Sequence, residues 1–146
     1  MNPEQIRAFE IEATEEVFVK QNVDAIDKYL AKDFVNHNPA HPTVCNREDY
    51  KQWIRNLAKA FPNSICATID EVLVEGDKYA ARWTLNCTGG GEFLGVDVTG
   101  KKATVIGMTV IRLENDKIAE QWWGYDMLGF LQQLGMIPQP GQAAKA

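Results

Sequence analysis

The feature that most constrains this chain is a change of period at Pro62. Before it, apolar residues recur every three or four positions; after it, β-forming runs are punctuated by turns. Ile6, Phe9, Ala13 and Val17 make a helical stripe. Asn2 can cap that helix, Pro3 suits its first turn, and Glu4 favours its positive end. A shorter helix is predicted over 23–30, with Val23, Ile26 and Leu30 on one side. The stretch Asn36-His37-Asn38-Pro39-Ala40-His41-Pro42 holds two prolines and reads as loop. Asn46 opens the next helix, which turns Tyr50, Trp53, Ile54, Leu57 and Phe61 inward until Pro62 stops it.

Beyond Pro62, strands are predicted over 65–74 and 79–88, joined by the turn Glu75-Gly76-Asp77-Lys78. Glycines at 89, 90, 91, 95 and 100 break the next part into loop and short strand. A long strand over 104–113 turns at Asn115-Asp116 into another over 118–125. A last helix over 127–134 carries Leu128, Leu131 and Leu134 and ends at Gly135 and Pro138. Helices first, an antiparallel meander second and one helix last is α+β, not alternating βαβ. The expected architecture is a strongly bent antiparallel sheet forming a cone, with N-terminal helices enclosing a pocket. Four tryptophans supply aromatic wall for such a pocket. The 146 residues fit one domain, expected over 1–137, with a polar tail over 138–146.

Composition matters here mainly for what it excludes. A formal charge of −5 repels a phosphate backbone, and Lys101-Lys102 is too small a basic patch, so no nucleic-acid partner is expected. No apolar run is long enough to span a membrane, and the first residues do not form a signal peptide. Cys45, Cys66 and Cys87 are odd in number and widely spaced, which points to reduced thiols in a cytoplasmic setting.

Several motifs fall away on their chemistry. Gly95-Val96-Asp97-Val98-Thr99-Gly100-Lys101 matches seven positions of a phosphate-binding loop, but Lys102 stands where Ser or Thr should hold magnesium, and a strand follows. Gly89-Gly90-Gly91 reads as a flexible loop rather than an anion cradle. His37 and His41, even with Asp33, are too few for a metal site on a segment broken by Pro39 and Pro42. No nucleophile elbow is present. No metal and no cofactor are expected, and acid/base work by carboxylates remains.

The informative stretch is Glu120-Gln121-Trp122-Trp123-Gly124-Tyr125-Asp126. Strand alternation puts Glu120, Trp122, Gly124 and Asp126 on one face. A carboxylate beside an indole at the end of a buried strand is poorly solvated, which raises its pKa toward neutrality. Asp126 also stands directly before the last helix, where an Asp is a cap; both roles remain open. Glu120 is by default a paired strand residue. His37 is a candidate polar contact to a ligand at the pocket mouth.

Lys117-Ile118, Glu120, Trp122, Asp126 and Leu131-Gln132-Gln133-Leu134-Gly135 together resemble the SnoaL-like polyketide cyclases, of the nuclear-transport-factor-2-like, ketosteroid-isomerase-like group. Asn36-His37-Asn38-Pro39, Ala60-Phe61-Pro62-Asn63, Ala80-Ala81-Arg82-Trp83-Thr84 and Gly91-Glu92-Phe93-Leu94-Gly95 with Thr99-Gly100-Lys101 are similar to further family segments. The resemblance implies the cone fold and a deep apolar pocket, with Asp126 as its acid/base. Arg112 occupies a position where the family often has Arg; its place relative to Asp126 depends on hairpin register, which one bulge would switch. One departure stands out: where the family reads Gly-Thr-His, this chain reads Cys87-Thr88-Gly89. The implied activity is cofactor-free aldol-type cyclisation of a small apolar or aromatic carbonyl compound. Asp126 would move the proton, Trp53, Trp83 and Trp122 would fold the substrate, and His37, Glu120 and Arg112 would complete the contacts. The alternatives are a hydroxylase or isomerase in the same pocket, or a small-molecule-binding protein without turnover. A homodimer through the outer sheet face is expected, because the simple two-residue turn register puts Val110 and Tyr125 opposite Asp126.

Overall fold

The computed structural model describes residues 1–139 and 141. Helix α1 (Pro3–Thr14) runs directly into a π-helical turn (Glu15–Val19). A 3₁₀ turn (Val23–Ala25) and α2 (Ile26–Tyr29) then lead into β1 (Leu30–His37). After α3 (Arg47–Ala60) come β2 (Cys66–Glu75), β3 (Lys78–Thr88), the small hairpin of β4 (Glu92–Phe93) and β5 (Val96–Asp97), β6 (Lys102–Glu114), β7 (Lys117–Tyr125) and α4 (Met127–Gln133). The helix starts follow their capping chemistry. The Asn2 side chain accepts from the Gln5 backbone while the Gln5 side chain accepts from the Asn2 backbone, both at 2.8 Å. The Asn46 side chain caps α3 by accepting from Asp49 N–H at 2.8 Å. Most of the tail expected over 138–146 lies outside the described residues.

The main sheet has the order β1-β7-β6-β3-β2. It is curved and open. All its pairs are antiparallel except β1 with β7, which is parallel. Strand β1 corrects the sequence reading, which gave Leu30 to a helix end and Asn36 and His37 to a loop and left 31–35 unassigned. Its sequence, Leu-Ala-Lys-Asp-Phe-Val-Asn-His, has one β-branched residue, and its register slips between Leu30 and Val35. The strand exists because β7 offers it an edge, not because of local propensity.

One face of the sheet is covered and the other is open. On β6, Ala103, Val105, Thr109 and Ile111 are buried while Thr104, Ile106, Met108 and Val110 are exposed. The covered face packs Tyr79, Ala81 and Ile111 against Ile6, Ala13 and Val17 on one side and Tyr50, Trp53 and Ile54 on the other. A second cluster joins Phe61, Phe93 and Phe130 near the β4–β5 hairpin.

The hairpin of β6 and β7 carries the consequential irregularity. Glu114 pairs with Lys117 and Leu113 with Ile118, but Arg112 pairs with Glu120, leaving Ala119 as the extra residue of a bulge. A bulge reverses which face every later side chain takes. The triple-glycine segment is also not a flexible loop. Gly89 N–H donates to Lys101 O at 2.7 Å and Gly90 N–H to Ala60 O at 2.9 Å. A Cβ on Gly89 would sit 2.0 Å from Val98 O, and one on Gly91 2.3 Å from Lys59 O. Glycine at 89 therefore lets the 96–101 segment close where a histidine side chain would have to stand.

Candidate functional site

A cavity of about 110 Å³ lies between the covered face of the sheet and the helices. Three rows of the sheet run beneath it, Tyr79–Ile111–Gln121, Ala81–Thr109–Trp123 and Trp83–Gly107–Tyr125, and of these residues Gln121, Thr109, Trp123, Trp83 and Tyr125 line it. Gly107 has a steric reason to be glycine, since a Cβ there would meet Trp83 at 2.7 Å and Tyr125 at 2.5 Å. The Trp83 indole thus lies close against the strand and donates its N–H to Thr109 Oγ1 at 3.0 Å.

Helices α1 and α3 build the other wall. The π-helical turn brings Val17 and Phe18 to the cavity. Such turns recur at functional sites. The Phe18 ring meets Tyr50, Trp53 and Trp123 edge-on, with centroids 5.7 to 6.3 Å apart. The segment after β1 holds this aromatic wall in place. Asn36 accepts from the Trp123 indole at 2.8 Å and donates to Val44 O at 2.8 Å, while Asn38 donates to the Tyr125 hydroxyl at 3.2 Å.

Glu10 is the only carboxylate in the cavity lining among the described residues, and no Lys or Arg joins it. It is 8% exposed. The Tyr79 hydroxyl donates to one carboxyl oxygen at 2.5 Å, and Thr14 reaches the other at 3.4 Å. Burial raises the Glu10 pKa to about 7, against these two hydrogen bonds, which pull it down. Burial, then Glu10 itself, pushes the Tyr79 hydroxyl well above its ordinary pKa and keeps it a donor. Burial also lowers the His41 pKa; this ring tilts against Trp53 with centroids 5.5 Å apart. His41, Trp53, Leu57 and Phe93 line both the cavity and an adjoining groove, and so mark its mouth. Cys87 also lines the cavity, and burial lifts its thiol to about 11, which removes it as a nucleophile at neutral pH.

The site differs from the one read in the sequence. Trp53 and Trp83 line the cavity; Asp126, Glu120, Trp122, His37 and Arg112 do not. Glu120, Trp122 and Gly124 do share a face, but it is the open one. On that face Glu120 accepts from Arg112 Nε at 3.2 Å and meets His37 Nε2 at 2.7 Å, and His37 stacks on Trp122 with centroids 5.4 Å apart. His37, then Arg112, holds the Glu120 carboxyl below its ordinary pKa, the opposite of what a neutral-pH base needs. Asp126 is exposed and caps α4, accepting from Gly129 N–H at 2.8 Å. Tyr125, expected outside, lines the cavity. The parity was right and the face was wrong, because covered-face residues of β7 are the odd-numbered ones beyond the Ala119 bulge.

Glu10 was missed, although it left a trace. Ile6, Glu10, Ala13 and Val17 are spaced four, three and four apart, so a carboxylate sits on the buried stripe of an amphipathic helix.

A curved open sheet under helices, with an apolar cavity between them, defines the nuclear-transport-factor-2-like class of α+β folds. The chain belongs within that class to the SnoaL-like polyketide cyclase family, whose model matches residues 10–134. No curated protein matches the sequence. Among solved structures, TsrD from Streptomyces laurentii is 25% identical, with a TM-score of 0.81 over 94% of this chain and 99% of its own. A candidate polyketide cyclase from Acidithiobacillus ferrooxidans is 29% identical, with a TM-score of 0.79 over 88% of this chain and 92% of its own. IdmH from Streptomyces antibioticus, also a candidate polyketide cyclase, is 25% identical, with a TM-score of 0.73 over 92% and 99%.

Proposed function

We propose that this protein is a cofactor-independent enzyme of the polyketide-cyclase type, with Glu10 rather than Asp126 as its acid/base group. The observation that carries this is a buried carboxyl with a pKa of about 7 in an apolar cavity. A group titrating near the working pH both takes and returns a proton efficiently. The substrate is a small, apolar or aromatic, activated carbonyl compound. Ionised Glu10 removes a proton from the carbon between two carbonyls. The resulting enolate forms a carbon–carbon bond to a third carbonyl, farther along the same molecule, whose oxygen becomes an alkoxide. Protonated Glu10 returns its proton to that alkoxide, restoring the carboxylate. The aromatic walls of Trp53, Trp83 and Trp123 hold the chain folded, which supplies the entropic part of the rate.

One observation favours a second reading, a binding protein without turnover: Tyr79 and Thr14 already engage both Glu10 oxygens. Proton exchange separates the two. The probe is 2-tetralone, a neutral aromatic ketone with an activated C–H, followed by NMR in deuterated water. The wild type is expected to accelerate exchange over buffer, and Glu10→Gln to lose at least ~10²-fold of that acceleration. Equal rates in wild type and Glu10→Gln would remove Glu10 from the chemistry. No acceleration by the wild type would leave the binding reading.

The protein is also proposed to act as a homodimer in a cytoplasmic setting. Among the described residues no helix is long and apolar enough to cross a membrane.

A further inference from the structure

Four buried side-chain polar atoms among the described residues lack a hydrogen-bond partner: Tyr29 Oη, Arg47 Nε, Trp53 Nε1 and Gln121 Oε1. Two of them have charged neighbours. Arg47 Nε lies 3.2 Å from Asp27 Oδ1, and the Tyr29 hydroxyl is beside the Glu12–Lys28 pair. The other two are Trp53 Nε1 and Gln121 Oε1, and both residues, like Tyr29, line the cavity. Trp53 is 9% exposed and Gln121 5% exposed.

A buried donor or acceptor left unpaired costs about 1–3 kcal/mol, so two in one cavity need a reason. Their chemistry is complementary. The indole can only donate, whereas the carboxamide oxygen accepts. Both border one stretch of the cavity: the Trp53 ring packs on Trp123, with centroids 5.6 Å apart, and Gln121 is two residues from Trp123 on the same face of β7. With no Lys or Arg in the lining, an anionic ligand would enter uncompensated.

We propose that Trp53 and Gln121 are the specificity residues of the cavity. The indole N–H of Trp53 donates to a carbonyl oxygen, and the side-chain carbonyl of Gln121 accepts from a hydroxyl, of one neutral hydroxy-carbonyl ligand. This rests on the cavity being the substrate site, and not on Glu10 being the base. Hydrogen bonding to the Trp53 N–H also strengthens as a carbonyl becomes an enolate, so the residue is placed to serve the reaction above.

The test is a set of four neutral probes of one shape: 6-hydroxy-1-tetralone, 1-tetralone, 5,6,7,8-tetrahydro-2-naphthol and tetralin, titrated by calorimetry near pH 6. In the wild type, the carbonyl and the hydroxyl should each improve Kd by roughly tenfold. Trp53→Phe keeps an aromatic ring but loses the N–H, so it should erase the advantage of 6-hydroxy-1-tetralone over tetrahydronaphthol. Gln121→Met should erase its advantage over 1-tetralone, and should raise Tm, because an orphan acceptor has been removed. Equal affinity of the wild type for tetralin and 6-hydroxy-1-tetralone would overturn the proposal without any variant. So would variants that keep the wild-type ratios. Affinities are equilibrium quantities, so a failure of proton exchange removes the enzyme reading and leaves this one standing.

Discussion

Glu10 and Asp126 illustrate how environment, not residue type, assigns roles to carboxyls. Asp126 is solvated and spends an oxygen on the Gly129 N–H. Asp126→Ala should cost about 1 kcal/mol of capping and Asp126→Asn almost nothing. Since the carboxyl is outside the cavity lining, both should keep wild-type proton exchange; a ~10²-fold loss in Asp126→Asn would restore Asp126 as the acid/base. Glu10 is the reverse case. Its pKa is near 4.5 in an unfolded chain and about 7 when folded. Between those values the folded state binds more protons than the unfolded state, so stability falls as pH rises. Below about 4.5 the group is protonated in both states and costs nothing; above about 7 its full penalty applies. The shift corresponds to a penalty on the order of 3 kcal/mol. Denaturant unfolding between pH 4.5 and 7 should show this decline, and Glu10→Gln should flatten it. An unchanged slope in Glu10→Gln would place the titration elsewhere.

At the level of elements, the helices α1 and α3 and the strands β2, β3, β6 and β7 were legible because their period and caps are local properties of the sequence. Strand β1 was not, because its hydrogen bonds depend on β7, which lies far along the chain. The candidate site was half legible for a related reason. Trp53 sits on a helix whose apolar stripe is unambiguous. The side chains of β7 depend on one extra residue at Ala119, which leaves no mark in an apolar run. His37 misled in the same way, since Asn36 and Asn38, its neighbours on either side, are the residues that brace the cavity wall. Gly107 makes the packing of these strands testable. In Gly107→Ala the new methyl must displace the Trp83 ring, since it would lie 2.7 Å from it. Overpacking of this kind typically costs 1–3 kcal/mol. The Trp83–Thr109 hydrogen bond should be lost with it, visible as a shift in tryptophan fluorescence. A variant with unchanged Tm and spectrum would mean that the strand can bend away, and that the close fit is not a constraint.

For the molecule as a whole, the unexplained surface is the open face of the sheet. Leu73, Ala80, Val110 and Trp122 fall in one row across four strands. Ile106 and Met108 extend the patch along β6, at 61% and 59% exposed. Side chains of this kind on a strand face normally have a cover. A second copy of the same chain is a self-consistent one, because the patch is carried by a regular sheet and a two-fold axis lets the same residues meet themselves. Tyr125, once part of the case for this face, belongs to the cavity; Ile106, Met108 and Leu73 replace it. Charged groups border the apolar row, with Arg112, Glu120 and His37 linked together and Lys78 over the Trp122 ring at 5.9 Å. They favour a particular register of the two sheets over a loose hydrophobic contact. Sedimentation at micromolar concentration should therefore give twice the chain mass of 16.4 kDa. Val110→Lys, in the middle of the row, should shift the wild-type dimer to a monomer while leaving the cavity's affinity for 6-hydroxy-1-tetralone intact, since Val110 faces away from it. A wild-type mass near that of one chain would sink the dimer. A Val110→Lys variant that remains dimeric would move the interface to another surface.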